Sequence, residues 1–181
     1  AALAYRVQKA VGDAPHGYAG FRAAPGVRTP HQIVRHITSV LGYARTFFVG
    51  GTWRPPMLED FDEEVLRFHD LLKDLSHHLA AGTPLVATTP ERLLQGPFSD
   101  AMTHAGQLAL LRRLFGAPIP PENFIVADID AANLGPDQPP PVSPDEDWID
   151  AEGERQRLPP AKDRDSGARP TRASSHRTGG T

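Results

Sequence analysis

The chain of 181 residues contains no cysteine. That excludes a disulfide framework, a thiolate metal site and a cysteine nucleophile, and it is compatible with a cytoplasmic setting. Long apolar runs are also missing. None approaches the roughly 20 residues needed to cross a bilayer, so no membrane association is expected. No signal-peptide pattern opens the chain, which begins at Ala1. A Gly-x-Ser-x-Gly elbow, a Walker loop and a dinucleotide fingerprint are all lacking, which leaves those three chemistries without support. Strand patterning is scarce as well; "FIVADI" is the only tempting segment.

Charge of one sign is unevenly spread. Residues 152–181 hold seven Lys or Arg against four Asp or Glu, a net +3, so the preceding 151 residues carry −6 of the overall −3. A folded part with that balance has no basic footprint, and nucleic acid is not an expected partner. From Gly135 onward the chain is poor in aliphatic residues and rich in Pro and charge, so residues 151–181 are expected to be a disordered tail.

What remains reads as helix. "ALAYRVQKAV" puts Leu3, Val7, Ala10 and Val11 on one face before Gly12. The second helix opens with Thr29 as cap, Pro30 at the first position and Gln32 completing a capping box. Ile33, His36, Ile37, Val40, Leu41, Ala44 and Phe48 follow at a period near 3.6, until Gly50–Gly51 stops it. The third helix carries the seam Leu58, Phe61, Val65, Phe68, Leu72, Leu75 and Leu79, with acidic residues in its first turns where the helix dipole favours them. The fourth, "SDAMTHAGQLALLRRLFGAP", starts with Pro97 in its first turn and ends at Gly116. The expected fold is therefore all-α, an antiparallel four-helix bundle within a domain of residues 1–150. Its Pro-rich arm (117–150) would be anchored through Ile119, Phe124, Ile125, Leu134 and Trp148.

Polar groups interrupt the apolar faces. Asp100, His104 and Gln107 are four and three residues apart, so they stack on one helical stripe, while His36 interrupts the stripe of the second helix. An Asp–His pair at i, i+4 plus one imidazole from another helix is a common three-ligand set for a divalent metal with an open position. The plain readings stand beside it. A carboxylate near a helix start is favoured by capping and dipole alone, and a histidine on an apolar face is commonly a hydrogen-bonded core group. Of the other histidines, His69 is a candidate for lining the site, His78 flanks the seam of the third helix, and His16, His31, His77 and His176 are expected in solvent.

"TPHQIVRHITSVLGYARTFF" followed by "GPFSDAMTHAGQLALLRRLFGAPIPPENFIVADI" resembles the DinB-like (DinB/YfiT-like) metalloenzymes over roughly residues 2–150. The resemblance implies a four-helix bundle with a metal held by one histidine of the second helix and a His-x3-His pair of the last. "VRHI" places His36 at the first position and "HAGQL" places His104 at the last; the middle position falls on Asp100, where the family has histidine. The implied metal ligands are thus His36, Asp100 and His104, with Gln107 supporting a ligand from behind or lining the pocket. Such a set suits Zn, Ni, Fe or Mn. By the same resemblance the chain is expected to be a metal-dependent transferase, isomerase or hydrolase. It would act on a small-molecule substrate, with a low-molecular-weight thiol as partner and a homodimer as assembly. A non-catalytic helical bundle that binds a small ligand or dimerises is the alternative.

Overall fold

In the computed structural model, residues 1–142, 147–149 and 155–157 are described. Residues 1–145 form one compact unit and residues 146–181 a second. The first is helical: α1 (Ala2–Val11), α2 (Pro30–Val49), α3 (Phe61–Ala80), the short α4 (Pro90–Leu93), a π-helical segment (Leu94–Phe98) and α5 (Ser99–Leu114). In the second, Asp147–Ile149, within the expected arm, pairs antiparallel with Arg155–Arg157, which falls in the stretch where a tail without structure was expected. The rest of the expected disorder, and His176, fall outside the described residues, as does the packing of the Trp148 side chain. No described helix is long and apolar enough to cross a membrane.

The helix boundaries follow local chemistry. Thr29 Oγ1 accepts from the Gln32 backbone N–H at 3.2 Å, and Gln32 Oε1 accepts from the Thr29 N–H at 3.0 Å, which closes the capping box. Asp60 caps α3 by accepting from the Glu63 N–H at 2.9 Å. Thr89–Pro90 repeats the Thr–Pro opening of α2 and starts α4, with Thr89 Oγ1 accepting from Arg92 N–H. The polypeptide then continues without a break into α5. Pro97 therefore lies inside a π-helical segment and does not open a separate helix. Proline has no N–H to give, and the wider π ladder accommodates that missing donor. At the far end of α5, Gly116 adopts φ +84°, a conformation that favours glycine.

Val7, Ile33, Val34, Ile37, Leu41, Phe68, Leu75, Ala101, Ala105 and Leu108 form the centre of one core shared by the four long helices. The seam expected on α3 is partly shifted. Val65, Phe68 and Leu75 are buried as read, but Leu71 is buried too, Leu79 is 54% exposed and Leu58 precedes the helix. Glu64, one of the acidic residues of the first turns, is wholly buried and pairs with Arg67 at 3.3 Å.

Contacts along the helices give their directions. His31 meets Phe61 and Phe48 stacks on His78, so α2 and α3 run the same way. His36 of α2 faces His104, while the later Ser39, Val40 and Tyr43 share a groove with the earlier Gln95, Gly96 and Pro97, so α5 runs against α2. Parallel neighbours need a connection that returns the length of a helix. Residues 50–60 suffice, because extended chain covers about 3.3–3.6 Å per residue against a 20-residue helix of about 30 Å. This strap is pinned on both sides. The Trp53 indole lies over Gly42 in the middle of α2, and Arg67 donates to the Pro56 carbonyl at 2.8 Å.

The arm after α5 is latched to α1 and α3. Glu122 accepts from the Tyr5 hydroxyl at 2.9 Å and from Lys9 Nζ at 2.6 Å, and Arg6 stacks over the Phe124 ring at 3.7 Å. Of the expected anchors, Phe124, Ile119 and Leu134 pack, but Ile125 is 88% exposed because Asn123 turns the chain outward. His31, expected in solvent, instead sets its ring edge-on to Phe61. His16 and His77 are exposed as read.

Alanine at position 42 tests the strap. In an open helix interior, Gly→Ala stabilises by about 1 kcal/mol. Here the added Cβ would stand 2.2 Å from the indole. Gly42→Ala is predicted to destabilise the fold by about 1–3 kcal/mol in urea unfolding, and in a Trp53→Ala background the same change is predicted to stabilise. Stabilisation by Gly42→Ala alone would contradict the packing.

Candidate metal centre

Helical spacing puts Asp100 and His104 one turn apart on the same stripe of α5, and His36 sits in the second turn of α2 facing them. The small buried residues Ala101 and Ala105 flank His104 and let α5 approach its neighbours closely. The His36 and His104 rings meet edge to face with centroids 4.5 Å apart. Asp100 stands between them. Its Oδ2 lies 3.6 Å from His36 Nε2 and its Oδ1 3.4 Å from His104 Nε2. One ligand atom from each residue falls within 4.8 Å of the other two, a group that could hold a metal ion.

These spacings discriminate between two roles. Hydrogen bonds to nitrogen cluster at about 2.7–3.2 Å, so both carboxylate–imidazole separations are long for direct bonding. Two donors each about 2.0–2.2 Å from a tetrahedral ion are separated by roughly 3.3–3.5 Å, close to what is seen. The two separations involve different oxygens of Asp100, and with one atom from each residue within 4.8 Å of the others the group could hold a metal ion. Two imidazoles and a carboxylate are donors of the kind divalent transition ions take.

The protonation pattern agrees with that fit. His104 is buried, and its Nδ1 lies 2.8 Å from Gln107 Oε1. In the Nδ1–H tautomer this contact is a hydrogen bond to the amide oxygen, and Nε2 is then left to ligate on the side of Asp100. At His36, burial lowers the imidazole below the ordinary histidine range. The positive charge of Arg28 and the His104 ring act in the same direction, against the opposing pull of Asp100. A neutral imidazole is the form that ligates.

Access comes from one side. His104 is 9% exposed, His36 32% and Asp100 46%. Asp100 also borders a groove of about 730 Å³ lined by Ser39, Val40, Tyr43, Gln95, Gly96 and Pro97, among others. Ser39, Val40 and Tyr43 follow His36 at three, four and seven residues, so helical periodicity from His36 alone could have found that wall. Nothing local signalled the opposite wall, because it depends on the π-helical geometry around Pro97.

His69 does not join the centre. It is fully buried, with Nδ1 2.7 Å from the Leu134 carbonyl and Nε2 3.0 Å from Gln8 Oε1. Burial lowers its pKa as well. Nδ1 donates to the Leu134 carbonyl and Nε2 lies against the Gln8 side-chain amide, so the ring fastens the arm to α3 and packs α3 against α1. His78 stacks on Phe48 at 5.4 Å. Comparison of the chain with protein-family models, with curated proteins and with solved structures finds no match in any of the three.

The tautomer is directly measurable. Long-range ¹⁵N–¹H spectra of the imidazoles are predicted to show His104 protonated at Nδ1 in the native chain, and a tautomer mixture in Gln107→Leu. An Nε2-protonated His104 in the native chain would contradict this assignment.

Proposed function

We propose that the chain is a metal-dependent enzyme built on a four-helix bundle of the DinB-like kind, with His36, Asp100 and His104 as the ligands of one divalent transition ion. The observation that carries this reading is the convergence of one ligand atom each from His36, Asp100 and His104 within 4.8 Å, with the Asp100 oxygens 3.6 and 3.4 Å from imidazoles of two different helices. The proposed bundle would pair α2 with α5 in opposite directions, with α2 and α3, whose starts and ends meet at His31–Phe61 and Phe48–His78, as parallel neighbours.

When bound, an ion of this type supplies a Lewis-acid centre that lowers the pKa of a water or thiol near neutral pH. The chain's own residues do the positioning. Gln107 holds the His104 proton at Nδ1, which keeps Nε2 available. Core packing of α5 on α2 fixes the distance between the two imidazoles. Asp100 contributes the negative charge and lies on the side that faces the groove, where a small molecule can approach. A transferase, isomerase or hydrolase using a low-molecular-weight thiol, a cytoplasmic setting and a homodimer belong to the same reading and rest on the family resemblance. Zn, Ni, Fe and Mn all suit two imidazoles and a carboxylate.

Purified, tag-free protein is predicted to retain about one transition ion per chain. His104→Ala and Asp100→Ala are expected to weaken binding on the order of 100-fold or more, and Gln107→Leu by about 10–100-fold. Metal in hundredfold excess over Kd should stabilise the native chain by about 2.7 kcal/mol and His104→Ala by no more than about 0.4 kcal/mol. Absence of retained or added metal binding, or equal binding by His104→Ala, would leave a helical protein without this centre.

A further inference from the structure

We infer that the groove beside Asp100 selects a molecule with one metal-binding head and an uncharged, partly aromatic body; this rests on the metal reading above and specifies its ligand. The groove is lined by Ser39, Val40, Tyr43, Gln95, Gly96, Pro97, Ser99, Asp100 and Thr103. Its volume, about 730 Å³, lies within the range of small-molecule sites.

The lining determines the chemistry. Among the described residues that line the groove there is no Lys, Arg or His, and Asp100 is the only carboxylate. That carboxylate is directed at the two imidazoles, so it serves the head end of the ligand. A second anionic group on the body would meet no cation among these residues and would lie in the field of the Asp100 carboxylate. Three of the lining hydroxyl groups are also committed. Ser39 donates to the Arg35 carbonyl at 3.0 Å, Thr103 to the Ser99 carbonyl at 3.0 Å, and Ser99 to the Leu94 carbonyl at 2.6 Å. Along the walls this leaves apolar surface from Val40 and Pro97, the Tyr43 ring and the Gln95 side chain. Tyr43 is 57% exposed, yet its ring is steadied edge-on against Phe47 at 4.9 Å. A large aromatic that is both exposed and oriented suits a stacking wall for a flat, neutral group.

The π-helical segment makes the opposite wall. Gln95, Gly96 and Pro97 all belong to it, immediately before Asp100. Single-turn π segments inside helices recur at functional sites because they displace the backbone outward locally.

A matched hydroxamate series on the Co²⁺-loaded full chain tests the groove, read by the visible absorption of the cobalt ion. Acetohydroxamate is the head alone, benzohydroxamate adds a neutral ring, and 4-carboxybenzohydroxamate adds a further negative charge. Benzohydroxamate is expected to bind roughly 10-fold tighter than acetohydroxamate, and the added carboxylate to cancel that gain. Tyr43→Ala should cut the benzohydroxamate advantage roughly 3–10-fold while leaving acetohydroxamate unchanged. Thr103→Arg, which places a cation on the rim, should restore tight binding of the carboxylated probe. Equal affinity for the head and the neutral aromatic probe, or an aromatic advantage untouched by Tyr43→Ala, would overturn the groove while acetohydroxamate binding kept the metal centre intact. Failure of Co²⁺ to bind at all would overturn both.

Discussion

Asp100 stands between two imidazoles that belong to different helices, and the spacing among the three is set by the packing of α2 on α5, not by any bond they make to one another. Their separations of 3.4 and 3.6 Å leave the carboxylate short of a proper hydrogen bond to either ring. A partly exposed carboxylate free to relax would settle onto one donor or turn to water. Buried Ala101 and Ala105 on one side, and Ile33, Val34 and Ile37 around His36, hold the two backbones in register, so the three polar groups take the positions that the core allows. The proposed chemistry depends on that rigidity, because ligand positions must be held within about half an ångström.

Much of the remaining architecture serves the same register. Parallel α2 and α3 require a strap, and the strap is fixed by an indole seated where α2 has only a glycine, together with an arginine that reaches the Pro56 carbonyl. On the other flank, the arm closes over α1 through Glu122 and Phe124 and over α3 through the His69–Leu134 bond. Buried hydrogen-bonded groups of this kind are costly to break one at a time, because the partner left behind loses its solvation. They hold the ends of the helices while the open groove is confined to the side of Asp100.

The parts of this structure that were legible in the sequence are those governed by local rules. Thr29–Pro30–Gln32 announced the start of α2, and the 3.6-residue spacing of Ile33, Ile37, Leu41 and Phe48 announced its buried face. The i, i+4, i+7 spacing of Asp100, His104 and Gln107 was also visible, and the structure brings the first two against His36. Illegible were features decided by long-range packing. The direction of α3 relative to α2 depends on where the strap docks, and a single glycine at position 42 does not say that Trp53 will cover it. The burial of Glu64 contradicts its helix-terminal position, where a carboxylate is ordinarily solvated. His69 resembled a site histidine because it lies on an apolar face; only the Leu134 carbonyl and the Gln8 side chain, 65 and 61 residues away, show that it is a clamp. The π-helical turn followed a second Thr–Pro signal at Thr89–Pro90 that was there to be read, but its continuation through Pro97 into α5 was not.

X-ray absorption at the metal edge of the Zn²⁺- or Co²⁺-loaded chain measures the central claim most directly. The account predicts two imidazole nitrogens and one carboxylate oxygen at about 2.0–2.2 Å, with one further light-atom ligand. The imidazole scattering should halve in His36→Ala and in His104→Ala. A shell of oxygen alone, or one unchanged by either substitution, would contradict it.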